Sequence, residues 1–234
     1  MAQTAAHLVD DVLPDVPYRQ WVLTLPYPLR LPVAFDSRLQ SAIVRIFWRT
    51  LRAYYVERAN QAGVETAEFG AVTVIQRFGS ALQLTPHLHV LAVDGVFARV
   101  GDTLTHFEPL RWPTQGDIER VVGSVAERVG RSLQARGMLV AGGREGDGPS
   151  IGLGELGHSP DSALAGCYAS AMGGRGSERG MAEPNAWDLF DVRAAAESRR
   201  RPELCAKDNG FNLHAGVTIG PGMRDRLERL CRYS

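Results

Sequence analysis

The feature that most constrains the fold is a pair of β-rich segments near the middle of the chain. Residues 70–78 (GAVTVIQRF) and 87–94 (HLHVLAVD) are dominated by β-branched and other apolar residues, and the eight residues 79–86 separate them. Runs of this composition and length predict two strands, and the short separation predicts a hairpin with a long connection. The sequence therefore predicts an antiparallel sheet at the centre of the fold.

Other segments supply further strands and the helices that cover the sheet. Alternating or β-branched residues predict strands at 18–25, 96–100, 104–110 and 211–219. Apolar residues at helical spacing predict helices at 37–62, 114–137 and 221–233. The pair Thr114 and Asp117 resembles a capping box at the start of the second helix. Antiparallel strand pairs interrupted by long helices predict an α+β fold, with a central antiparallel sheet flanked by helices.

Composition divides the chain into four stretches. With 234 residues, of which 44% are hydrophobic, the chain is long enough for one domain with a substantial core. Residues 1–16 are predicted to be a loose N-terminal arm and residues 17–136 the main folded core. Residues 137–207 are predicted to be a flexible insertion, because 13 of the 25 glycines fall between positions 137 and 180. Residues 208–234 are predicted to be a C-terminal strand and helix.

Several classes of protein are excluded by composition. No apolar run approaches about 18 residues, so no membrane-spanning helix is predicted, and the N-terminus lacks the basic and apolar pattern of a secretory signal. The three cysteines, Cys167, Cys205 and Cys231, are far apart and odd in number. They fit a reducing cytoplasm better than a disulfide framework.

The sharpest local motif is His87-Leu88-His89 within a predicted strand. Strand alternation places both imidazoles on one face of the sheet, where they can hold a divalent metal ion. A structural or surface histidine pair is the alternative. A third ligand would be needed, and the candidates are Gln76, Gln83, Asp94 and His214, with Gln76 on the neighbouring strand of the predicted hairpin.

Arginine supplies 25 of the 26 basic residues, although acidic residues balance them to a net charge of zero. Arg38, Arg45, Arg49 and Arg52 fall on one stripe of the first predicted helix, opposite its apolar face. The stripe is either a solvated outer face or a binding surface for a phosphate backbone. The second interpretation follows from the planar guanidinium group, whose donors match the geometry of a phosphate.

The last predicted helix carries Tyr233, with Arg226 and Arg229 on the same flank. A tyrosine at the edge of an amphipathic helix is usually a packing residue. In a functional interpretation its phenolate attacks phosphorus, and the neighbouring guanidinium groups hold the phosphate.

Three stretches together resemble a known family. YRQWVLTLPY (18–27), VTVIQRFGSALQLTPHLHVLAVDGVF (72–97) and FNLHAGVTI with LERLCRY (within 211–233) are similar to the transposases of the insertion-sequence-ninety-one family. These are rolling-circle enzymes of the HUH class, named after a His–hydrophobe–His motif. The resemblance implies an HUH-endonuclease-like fold with 17–136 as its catalytic core. It also implies a single-stranded DNA substrate at the transposon ends.

The resemblance also implies roles for individual residues. His87 and His89 match the HUH pair and would bind Mg²⁺ or Mn²⁺, which would polarise the scissile phosphate. Tyr233 matches the nucleophile, which would displace a 3′-hydroxyl and leave a 5′-phosphotyrosine. The stripe of Arg38, Arg45, Arg49 and Arg52 is the first candidate for part of the DNA groove.

The chain departs from the family pattern at three points, one of which is Thr85-Pro86 before the HUH pair, where relatives often have an Asn nearby. Full-length relatives begin with a cysteine-rich zinc-binding region and continue well past the nucleophile, whereas this sequence ends at Ser234. Some relatives carry a second tyrosine four residues before the first, where Arg229 stands here, so the chain resembles the one-tyrosine members. The expectation is a truncated catalytic core. Two alternatives are a remnant that only binds single-stranded DNA and an unrelated metal-dependent hydrolase.

Overall fold

The computed structural model describes residues 2–78, 84–100, 103–140, 150–151 and 204–233. Ten strands lie within these ranges: β1 Tyr18–Thr24, β2 Ala67–Glu68, β3 Ala71–Phe78, β4 Leu84–Val93, β5 Gly95–Val100, β6 Thr103–Pro109, β7 Leu139–Val140, β8 Ser150–Ile151, β9 Cys205–Asp208 and β10 Phe211–Ile219. The α-helices are α1 Ala2–His7, α2 Tyr27–Phe35, α3 Ser37–Gln61, α4 Gln115–Ala135 and α5 Arg224–Tyr233, and a π-helical turn at Leu8–Val12 follows α1.

The main sheet has five antiparallel strands in the order β3-β4-β1-β10-β9. The predicted hairpin is its β3–β4 pair, and β4 is an internal strand between β3 and β1. A smaller sheet, β2-β5-β6, contains the predicted 96–100 and 104–110 hairpin. The predicted α+β fold, with a central antiparallel sheet flanked by helices, is confirmed.

One face of the sheet packs against α2, α3 and α4 and carries the main hydrophobic core. Trp21, Leu23 and Leu88 of the sheet are fully buried there against helix residues such as Phe47 and Ile118. Local signals define both long helices. Asp36 accepts hydrogen bonds from the first turn of α3, and the predicted Thr114–Asp117 capping box opens α4.

The opposite face packs against α1, the π-helical turn and α5. Leu91, Val93 and Ile219 of the sheet form a second, smaller cluster with Val9 and Leu227 of these elements. The segment predicted to be a loose N-terminal arm is therefore helical and packed from residue 2 to residue 12. Its buried residues Ala5 and Val9 are four residues apart, as on one face of a helix. A helix this short is marginal in isolation, so burial against the second cluster stabilises it.

Helix α2 and strands β2, β7, β8 and β9 were not predicted. Helix α2 contains Pro28 in its first turn and Pro32 in its interior, and an interior proline disfavours a helix. Burial of Leu29, Pro32 and Val33 offsets this cost. Strand β9 forms the edge of the sheet. Its residues lie at the end of the segment that was predicted to be a flexible insertion. Most of that insertion (141–149 and 152–203) lies outside the described residues.

A β-bulge in β10 changes which residues face which side. The register steps from Gln20 opposite Val217 to Val22 opposite His214, so β10 has one residue more than β1. Leu213 and Ala215 therefore face the main core while Ile219 faces the second cluster. Within the described ranges, no helix combines the length and apolar character needed to cross a bilayer.

Candidate active site on the histidine face

The two histidines of the HLH motif lie on the sheet face that α1 and α5 partly cover, named here the histidine face. Residues directly opposite each other in neighbouring strands share a face, so the register defines rows across it. The first row is Gln76, His87, Thr24, Asn212 and Lys207, from β3 to β9. The second is Val74, His89, Val22, His214 and Cys205.

The face becomes steadily more apolar along the strands. Beyond the His89 row it carries Leu91 and then Val93 with Tyr18 and Ile219, which belong to the cluster under α1 and α5. The two helices therefore cover the apolar half and leave the polar half, at the His87 row, outside that cluster. The two histidines therefore lie at the boundary between the part of the sheet face that the helices cover and the part that they leave uncovered.

Both imidazoles favour the neutral state. The ring centroids of His87 and His89 are 6.4 Å apart with an interplanar angle of 61°. Burial, and secondarily the charge of His87, lowers the pKa of His89 to about 4. Burial and the nearby charge of Arg30 also lower the pKa of His87, against a hydrogen bond to the Thr85 backbone that raises it. Neutral imidazole is the form that binds a metal ion.

Gln20 of β1 holds the His89 ring. Its Nε2 lies 3.2 Å from His89 Nδ1, with donor and acceptor roles that depend on the imidazole tautomer and the amide assignment. Gln20 is itself 3% exposed, so this contact is protected from water. Sequence reasoning missed Gln20, although its alternation with Trp21 placed it on the face opposite the core.

The four candidates for a third ligand lie at different positions relative to the histidine pair. Gln76 lies directly opposite His87 in the β3–β4 pairing, on the same face. His214 shares the face but lies two strands from His89, separated from it by Val22. Gln83 lies outside the described residues. Among the described residues no cluster of three His, Cys, Asp or Glu side chains could hold a metal ion.

Asp94 is on the other face and has a structural partner. Arg19 Nε and Nη2 donate to Asp94 Oδ1 and Oδ2 at 2.9 and 2.8 Å, and Arg19 Nη1 donates to the Ala215 carbonyl at 2.7 Å. The Arg19 guanidinium is fully buried and lies 4.9 Å from the Trp112 ring centroid. Asp94 neutralises this buried charge, which removes it from the candidate ligands of the histidine pair.

Helix α5, which ends at Tyr233, packs on the histidine face. Leu227 is 4% exposed in the second cluster, and Cys231 lines the same small cavity as His89. Arg226 and Arg229 are exposed on the outer side of the helix, away from Leu227. The sequence-predicted nucleophile helix and histidine pair are thus brought to the same side of the sheet.

The arginine stripe lies elsewhere. Its four members, Arg38, Arg45, Arg49 and Arg52, are all exposed on the outer face of α3. Because α3 packs on the main core, the stripe and the histidines are on opposite sides of the sheet. The structure does not bring these arginines together with the predicted metal ligands.

A polar cleft at the end of the His87 row was not predicted. Thr24, Arg30, Lys207 and Asn212 line it together with the β9–β10 turn. The dipeptide Asn209-Gly210 before an alternating strand is a strong hairpin signal. That signal could have placed β9, and with it Lys207, beside β10.

Comparison with known proteins gives one family match and one structural match. Residues 70–147, a third of the chain, match a family described as "Putative transposase". The solved structure "Conjugative Relaxase TrwC in complex with mutant OriT DNA" is 11% identical over 78% of this chain and 74% of that chain, with a TM-score of 0.36. No curated protein matches the chain.

Proposed function

We propose that the chain is the catalytic core of a transposase of the insertion-sequence-ninety-one type, which nicks and rejoins single-stranded DNA. The observation that carries the proposal is the placement of His87 and His89 on one face of an internal antiparallel strand, with the helix that ends at Tyr233 packed on that face. The family match over residues 70–147 contains the HLH motif and agrees with a role in transposition.

The residues on the histidine face fit a divalent metal ion such as Mg²⁺ or Mn²⁺. Two neutral imidazoles and the amide of Gln76, opposite His87, would hold it. Gln20, at the Nδ1 edge of His89, would fix the orientation of that ring. The ion would supply Lewis-acid polarisation of the scissile phosphate.

The reaction of the chain's own residues is a transesterification. The Tyr233 phenol oxygen forms a bond to phosphorus as the bond from phosphorus to the 3′-oxygen breaks. The phenol proton leaves to solvent, and the departing 3′-oxygen takes up a proton. Rejoining is the reverse attack by a 3′-hydroxyl on the 5′-phosphotyrosine, so the phosphodiester energy is conserved and no nucleoside triphosphate is needed.

A covalent-trapping experiment tests this function. Labelled single-stranded DNA carrying transposon ends is incubated with the protein and Mn²⁺ and separated on a denaturing gel. A slower protein–DNA band is expected, and Tyr233→Phe and the His87→Ala/His89→Ala double variant should abolish it. Tyr27→Phe, which removes a phenol from an exposed tyrosine of α2, is the matched control and should retain the band.

Absence of the band in the wild-type protein would contradict the proposal. If DNA is still retained in a native gel, the chain is instead a binding remnant that does not cut. A band that persists in Tyr233→Phe would assign the nucleophile to another residue.

A further inference from the structure

A polar cleft opens where the His87 row reaches the edge of the sheet. It is lined by Arg30 of α2 and Lys207 of β9, together with Thr24 and Asn212 of the same row. Lys207 is exposed, and it is the only lysine in the 234 residues. Two cations therefore line a cleft that reaches Thr24, the residue directly opposite His87 in the β1–β4 pairing.

The carboxylate in the lining does not oppose these cations. Asp208 pairs with Phe211, whose side chain is in the main core, so Asp208 belongs to the opposite face from Lys207. Its Oδ2 accepts a hydrogen bond from Asn209 Nδ2 at 3.2 Å and lies 3.9 Å from the position of a Cβ on Gly123 of α4. The carboxylate is thus directed toward α4, and the cleft retains its positive charge.

The cleft is also rigid. Asn209 and Gly210, with φ values of 46° and 79°, form the tight turn between β9 and β10. A Cβ at Gly210 would lie 3.0 Å from Pro26 Cβ, so the turn packs closely on the residue before α2. Arg30 Nε donates to the Leu25 carbonyl at 3.3 Å, and Arg30 Cζ lies 5.7 Å from the Tyr27 ring centroid. The β9–β10 turn and the Arg30 side chain are therefore held in place before any ligand binds.

We propose that this cleft binds the phosphodiester backbone of the single strand beside the position that is cut, with Lys207 and Arg30 as its phosphate ligands. The inference rests on the proposed function and names the path of its substrate. Three strand spacings, about 14 Å, separate the His87 and Lys207 backbones. Lys207 therefore contacts a phosphate other than the scissile one and positions the strand without taking part in the chemistry.

The test is the salt dependence of binding to a fluorescein-labelled oligodeoxythymidine, measured by anisotropy in EDTA so that no cleavage occurs. Each lost phosphate contact lowers the magnitude of the slope of log K against log salt by about 0.7 for a single strand. Lys207→Gln and Arg30→Gln should each produce this change, and Lys207→Arg should restore the wild-type slope. Arg111→Gln removes the same charge from an exposed residue beside Asp94, at the other end of β4 from His87, and should leave the slope unchanged.

A slope for Lys207→Gln equal to that of the wild type would overturn the proposal. An equal fall in all the charge-removing variants, Arg111→Gln included, would also overturn it, because it would indicate a general electrostatic effect. Wild-type protein that does not bind the oligonucleotide overturns it as well.

Covalent trapping in Mn²⁺ is run on the same preparations. A missing covalent band with the predicted slope changes would reject the proposed nicking activity and leave the cleft supported. A covalent band with unchanged slopes would support the nicking activity and reject the proposed role of the cleft.

Discussion

Gln76 lies directly opposite His87 in the antiparallel pairing of β3 and β4, on the same face of the sheet. In the proposed function, its amide oxygen would be a cross-strand ligand for a metal ion held by the histidine pair. The register that gives this relationship depends on the connection between the strands, which the sequence did not define.

Gln76→Ala is expected to weaken Mn²⁺ binding by about tenfold, or ~1.4 kcal/mol, because one of three protein donors is lost. Gln76→Glu should bind at least as well as the wild type, since a carboxylate oxygen replaces the amide oxygen. Calorimetric titration of Mn²⁺ measures both. Gln61→Ala, at the exposed end of α3, is the control, and equal affinities for Gln76→Ala and wild type would remove Gln76 from the ligand set.

Gln20→Ala should lower Mn²⁺ affinity by about 10- to 100-fold without removing a ligand, because the partner that orients the His89 ring is lost. Gln20→Asn is too short to reach Nδ1 in the same geometry and should behave like Gln20→Ala. NMR of the imidazole nitrogens reports the tautomer directly. An unchanged tautomer and an unchanged affinity would show that Gln20 only fills space.

Leu227→Ala is expected to loosen α5 from the histidine face. The side chain is 4% exposed against Val9 and Ile219, and truncating a buried leucine costs about 2–5 kcal/mol. Amide hydrogen exchange should accelerate in α5, and covalent trapping should fall while Mn²⁺ affinity is retained. Met223→Ala, at a 51% exposed position before the helix, is the control. Trapping at the wild-type level despite faster exchange would mean that the packed helix is not needed for attack.

Asp117 should make the fold sensitive to acid. Burial raises its pKa, but hydrogen bonds from the Thr114 backbone and side chain and from Arg120, with the charge of Arg58, lower it overall. A carboxyl whose folded pKa is depressed stabilises the fold above its unfolded pKa of about 3.9 and loses that contribution as the pH falls through the folded value.

The measurement is urea unfolding of wild type and Asp117→Asn between neutral pH and pH 3. Asp117→Asn should cost about 2 kcal/mol at neutral pH, where it removes the charge of a helix cap and of a partner to Arg58. The difference should shrink as the pH falls. Glu119→Gln, exposed on the same helix, should show neither effect, and a constant difference between Asp117→Asn and wild type would contradict the assignment.

The sequence by itself determined the features that depend on local periodicity. Period-two alternation placed His87 and His89 on one face, and helical spacing with Asp36 and the Thr114–Asp117 box defined α3 and α4. These signals are local because backbone geometry and the first-turn N–H groups impose them within a few residues. The family resemblance, carried by the motif segments, pointed to the same strands.

Only the tertiary structure decided which groups meet. The bulge in β10 put His214 on the same face as Ile219, against the simple alternation of that strand. The buried Arg19 has Asp94 as its partner. Because α3 packs on the main core, the arginine stripe lies on the opposite side of the sheet from the histidines. Lys207 reached the histidine face through the pairing of β9 with β10. Each of these outcomes depends on contacts between residues distant in sequence, where burial and pairing override local pattern.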